Sequence, residues 1–105
     1  MTRIFLTKKF TKWSDAIGLA DDRIKDTIAE IENGLIDADL GGSIFKKRTG
    51  INERGNSGSL RTIIGFKKGN KAFFLYGFLK SETDNITQQE KAAFKEMAKV
   101  YFQAQ

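Results

Sequence analysis

The spacing of apolar and polar positions divides the chain into a short opening strand, a helical stretch, a strand-rich centre and a closing helix. Residues Arg3 to Thr7 alternate enough for a short first strand. Phe10 and Trp13, three residues apart, suit one inward-facing helical turn between Lys8 and Trp13. From Asp21 the period is plain, with Ile24, Ile28, Ile31 and Leu35 along one face of an amphipathic helix. Asp21 suits the N-cap, Asp22 the positive end of the helix dipole, and Gly34 the C′ position.

Leu35 to Ser43, with its Gly41-Gly42 pair, reads as a connection. Ile44 to Arg48 is a short strand whose alternation puts Lys46 and Arg48 on one face and Phe45 and Lys47 on the other. Gly50 to Ser59 is a glycine-rich loop. Leu60 to Lys67 and Lys71 to Leu79 are strands rich in β-formers, joined by a tight hairpin at Lys68-Gly69-Asn70. Strict alternation in the latter sets Phe73 and Leu75 against Phe74, Tyr76 and Phe78, as in a central strand covered on both sides. Thr87-Gln88-Gln89-Glu90 is a capping box opening a last helix that carries Phe94, Met97 and Tyr101. The order β-α(α)-β-β-β-α describes an α+β fold, a small antiparallel sheet with helices packed on one side, and 105 residues suit one domain.

Composition narrows the chemistry. Cysteine and histidine are both absent. Their absence rules out disulfides, Ser–His or Cys–His catalysis, and the usual zinc, haem and iron–sulfur sites. An enzyme made from this alphabet works with Lys, Arg, Tyr, Ser, Asp or Glu, and neither metal nor cofactor is expected. The N-terminus turns charged too early for a signal sequence, and no apolar run approaches a membrane span. A cytoplasmic protein without membrane contact is the expectation.

The net charge is +5, and its layout says more than its sum. Asp15 to Leu40 holds eight acids and two bases, whereas Ile44 to Lys71 holds eight bases and one acid, Glu53. Such segregation reads either as ordinary solvated surface or as a basic face for a polyanion. The bases sit in strand-like sequence around a glycine-rich loop, where backbone N–H groups can approach a phosphate, and this favours the second reading. Alternation sets Arg61 on one face with Ile63 and Gly65, where little bulk crowds a guanidinium that could clamp a phosphate. The competing reading of Arg61 is an ion pair with an acid of the long helix. Lys80, at the end of the aromatic strand, emerges near the loop and can join the cations, and an exposed aromatic such as Tyr76 could stack on an RNA base.

Three stretches together carry a resemblance: Ile44-Phe45-Lys46-Lys47-Arg48, then Gly55-Asn56-Ser57-Gly58-Ser59-Leu60-Arg61-Thr62, then Phe74-Leu75-Tyr76-Gly77-Phe78-Leu79-Lys80 with Asp84-Asn85-Ile86. They resemble the RelE/HigB-type toxins of bacterial type II toxin–antitoxin pairs, over most of the chain. The resemblance implies a RelE-like fold and mRNA cleavage, usually on the ribosome, by attack of the ribose 2′-OH on the adjacent phosphorus. It also implies neutralisation by a small antitoxin. Carried over by position, Lys46, Arg48, Arg61 and Lys80 are the catalytic cations, with Lys46 nearest proton transfer and Arg61 the electrostatic clamp. Lys47, Arg54, Ser57 and Tyr76 are the expected RNA and phosphate contacts. The sequence departs from the pattern at Asn56, Ser59 and Thr87, where lysine, glycine and tyrosine are frequent. A gyrase-directed ParE-like toxin, which shares the fold, and a non-catalytic nucleic-acid-binding module are the alternatives.

Overall fold

The computed structural model describes residues 2–49, 60–80, 82–83 and 85–103. Its elements are β1 (Arg3–Leu6), α1 (Lys8–Ile17), α2 (Asp21–Glu32), β2 (Ala38–Gly41), β3 (Ile44–Arg48), β4 (Leu60–Phe66), β5 (Lys71–Leu79) and α3 (Gln88–Gln103). The five strands lie in the order β1-β5-β4-β3-β2. From β2 to β5 the chain runs as an antiparallel meander, which returns β5 to lie parallel to β1. This is an α+β fold, as expected, with an open, mostly antiparallel sheet. No helix among the described residues is long and apolar enough to cross a membrane.

Local chemistry accounts for the helix ends. Thr7 caps α1, its hydroxyl accepting from the Phe10 N–H at 3.1 Å, and the helix continues to Ile17, well beyond the single turn expected. No side chain caps α2; Ala20 occupies the N-cap, with Asp21 and Asp22 in the first turn. At its far end Gly34, at φ +84°, lets its own N–H reach the Ile31 carbonyl and the Leu35 N–H reach that of Glu30. That pair of bonds satisfies carbonyls the helix leaves open. The capping box at α3 is present in both directions, Thr87 N–H to Glu90 Oε1 at 2.8 Å and Glu90 N–H to Thr87 Oγ1 at 3.0 Å.

Two expectations require correction. The segment assigned to a connection holds β2, whose Ala-Asp-Leu-Gly alternation, half-buried at Ala38 and Leu40, is only four residues long and ends in a glycine pair. Turn geometry makes this strand: Gly42 at φ +62° and Ser43 at φ +64° form a two-residue turn of the mirror-image kind that matches strand twist. The helices also do not share one side of the sheet. Phe10 of α1 and Ile24, Ile28 and Ile31 of α2 pack against Leu60, Ile64, Phe66 and Phe74 on one face. Phe94 and Ala98 of α3 pack on the other, with Ile44, Ile63 and Phe73. β4 and β5 are buried on both faces, so one layer of helices could not have covered them.

β5 contains the irregularity that shapes the site. Ile63 pairs with Tyr76 but Ile64 pairs with Phe74, so Leu75 is an extra residue in the ladder. The bulge moves Tyr76 and Phe78 onto the α3 face with Phe73, instead of opposite it as strict alternation implied.

Candidate functional site

The antiparallel register of β3 and β4 builds the cationic site. Arg48 lies directly across from Arg61, and Lys46 across from Ile63. Residues opposite one another share a face, so Lys46, Arg48 and Arg61 converge on the α3 face. β5 extends the same rows, Phe78 beside Arg61 and Tyr76 beside Ile63. α3 covers the far end of this face around Gly65, where a Cβ would touch Ala98 and Phe102. The cations stand at the opposite end of the strands.

Two guanidinium-bearing residues placed face to face repel one another. Asp37, in the connection before β2, relieves part of this repulsion, with its carboxylate 3.8 Å from Arg61 Nε. Arg61 Nη1 donates to the Leu60 carbonyl at 3.1 Å, and its side chain is only 9% exposed. Arg61 therefore does have an acidic partner, but not one from the long helix. Glu30, the acid that α2 contributes, is bound to Lys47 at 2.6 Å. Arg48 remains exposed, and Lys46 donates to Asn85 Oδ1 at 3.5 Å, tying β3 to the segment that leads into α3.

The expected site residues separate accordingly. Lys46, Arg48, Arg61 and Tyr76 are brought onto one face. Lys80 follows β5 at the same end of the sheet, since Leu79 pairs with Leu60, and it is exposed. Lys47 departs from its expected role as an RNA contact: it is buried on the opposite face against α2, its charge taken by Glu30. Arg54 and Ser57 lie outside the described residues, as do Asn56 and Ser59. Thr87, at the position of the frequent tyrosine, serves as the cap of α3, its hydroxyl accepting from Glu90. Among the described residues, no group of three or more acidic side chains could hold a metal ion.

Sequence reasoning missed Asp37, Asn85, Lys9 and Glu82. Only Asn85 carried a signal, being part of the run Asp84-Asn85-Ile86. Lys9 sets its ammonium 5.7 Å from the centre of the Tyr76 ring, a cation–π contact.

Tyr76 packs against Phe78 and Phe94. Burial, and secondarily the charge of Glu90, push its hydroxyl above the ordinary tyrosine value of 10.0. At neutral pH it is a hydrogen-bond donor and not a base. Because the folded state holds this proton more tightly, the associated stability is complete below the unfolded value and is lost as pH rises through the folded one. Denaturant melts on either side of pH 10.0 should show a steeper alkaline loss in the parent than in Tyr76→Phe. Identical alkaline profiles would refute the shift.

The family model for the RelE toxin of the RelE/RelB toxin–antitoxin system matches residues 2–105. No curated protein matches the chain significantly.

Proposed function

The chain belongs to the RelE toxin family of toxin–antitoxin systems, and on that premise we propose that it is an endoribonuclease cleaving mRNA, on the ribosome or free, by 2′-OH attack. One observation carries this reading: Arg48 and Arg61 oppose each other on one face with Lys46 beside them. Their mutual repulsion is lost when a phosphate binds between them, so the arrangement favours an anion. In the reaction the 2′-oxygen bonds to phosphorus and the bond from phosphorus to the 5′-oxygen breaks. The products carry a 2′,3′-cyclic phosphate and a 5′-hydroxyl. Charge builds on the phosphoryl oxygens in the transition state, where fixed guanidinium groups act most strongly. Arginine stays protonated, so Arg61 and Arg48 clamp while Lys46 stands nearest the proton transfer. Lys80 extends the contact along the RNA backbone.

A RelE-family toxin implies an antitoxin partner. β1 is an edge strand whose Ile4, Phe5 and Leu6 are each at least 36% exposed, and Ile4 and Leu6 line a groove with Ile24 of α2. An uncovered apolar edge invites pairing with another chain, and an amphipathic antitoxin segment is the occupant we assign to it.

The test is expression of the chain alone and together with its antitoxin, followed by mapping of RNA 5′ ends. The expected result is growth arrest with new 5′-hydroxyl ends in mRNA, suppressed by the antitoxin. Arrest with intact mRNA and broken DNA would replace this reading with the gyrase-directed one. RNA binding without cuts would leave a non-catalytic module.

A further inference from the structure

A second feature adjoins the cations. β1 pairs with β5 only as far as Phe74, after which the chain enters α1. Along the outer edge of β5 beyond that point lies a slot of about 240 Å³, lined by Lys9, Phe10, Trp13, Tyr76, Phe78 and Glu82. Gly77 and Thr83 also line it, and of its four aromatic residues Trp13 and Tyr76 are half-buried while Phe10 and Phe78 are buried. Tyr76 and Phe78 are the cross-strand neighbours of Ile63 and Arg61, so the slot begins one strand spacing, about 4.8 Å, from the clamp.

We propose that this slot receives one base of the bound RNA and that Glu82 selects guanine; the inference rests on the reading of the cationic face as an RNA site. The half-buried rings of Trp13 and Tyr76 suit a nucleobase, because stacking on such side chains is the usual way single-stranded RNA is held. Lys9 at the Tyr76 ring keeps the approach cationic, as a nucleotide phosphate requires. Glu82 is the one acid among the lining residues, an exposed carboxylate next to Thr83, which also lines the slot. It repels phosphate and accepts hydrogen bonds only. Guanine alone presents two adjacent donors, N1–H and the N2 amino group, that match the two oxygens of a carboxylate. Adenine and cytosine place an acceptor nitrogen beside their amino group, and uracil flanks its single N–H with carbonyls.

Trp13 is the only tryptophan in the chain, so its emission reports the slot directly. The probes are uncleavable 2′-O-methyl tetranucleotides with a single G, A or C in a uridine background. Binding is followed both by anisotropy of a labelled end and by Trp13 emission. The expected result is quenching by the G-containing strand at a concentration about ten-fold lower than by the A-containing one. Glu82→Gln should erase that preference. Equal affinities for all strands, or binding seen by anisotropy with unchanged Trp13 emission, would overturn the slot and leave the cationic clamp standing. Absence of binding to any strand, with the protein folded, would overturn both.

Discussion

Arg61→Ala should lower RNA cleavage by a factor of about 10²–10³ while the chain stays folded, the loss typical when one fixed transition-state partner is removed. Arg61 is held on a strand interior, bonded to the Leu60 carbonyl and fixed against Asp37, so little reorganisation is needed when the phosphorane forms. Its removal leaves Asp37 without that partner, but Asp37 is 33% exposed and can be solvated in compensation. With its acid a third exposed, the pair itself contributes on the order of 1 kcal/mol, too little on its own to unfold the chain. Arg61→Lys separates charge from geometry: it keeps the positive charge and loses the planar fork, and should recover only part of the rate. Asp37→Asn tests the same point from the other side, since releasing the guanidinium from its acid should tighten phosphate binding. Cleavage and melting temperature measured on the same preparations decide the matter. A folded Arg61→Ala protein that cuts RNA at the parent rate would remove Arg61 from the site.

How far the site could be read in advance depends on where the two-residue period of a strand holds. It holds through β3 and β4, so spacing alone pairs Lys46 with Arg48 and sets Arg61 with Ile63 and Gly65, while the cross-strand register is what joins the two sets on one face. The same alternation sets Lys47 on the other face, apart from the cations with which the resemblance groups it. What the period could not reveal was that Glu30, separated from Lys47 in sequence by β2, lies within bonding reach in space. In β5 the period fails at Leu75, and nothing in the run Phe-Phe-Leu-Tyr marks the extra residue, because every position there is apolar or aromatic. Strict alternation therefore sets Tyr76 and Phe78 on the wrong face relative to Phe73, although this shift is what lines them up beside Ile63 and Arg61. β2 was missed for the opposite reason. Its pairing is imposed by the Gly42–Ser43 turn and the neighbouring strand, and its own apolar pattern, Ala38 and Leu40, is too short to mark a strand.

Gly77→Ala should destabilise the protein by about 2–3 kcal/mol, the cost of forcing extra bulk into a packed contact. Gly77 is buried in β5 with the six-membered ring of Trp13 lying on its backbone, and a Cβ there would fall under 3.0 Å from three atoms of that ring. The backbone of β5 cannot retreat, being paired to β4 through Thr62. Trp13 must move instead. It packs on Phe10, whose ring in turn lies 5.0 Å from that of Phe74, so the displacement passes into the core between α1 and the sheet. If Trp13 swings outward, it gives up burial of comparable worth. Either route should lower the melting temperature by roughly 10–20 °C for a chain of this size. Trp13→Ala should itself destabilise, but adding Gly77→Ala to it should cost little more, since the obstructing ring is gone. Full additivity in that double-mutant cycle, or a Gly77→Ala variant with unchanged melting temperature and Trp13 emission, would show that the contact is not tight. The same substitution reshapes the aromatic slot, so its effect on RNA binding has to be read at a temperature where the variant is still folded.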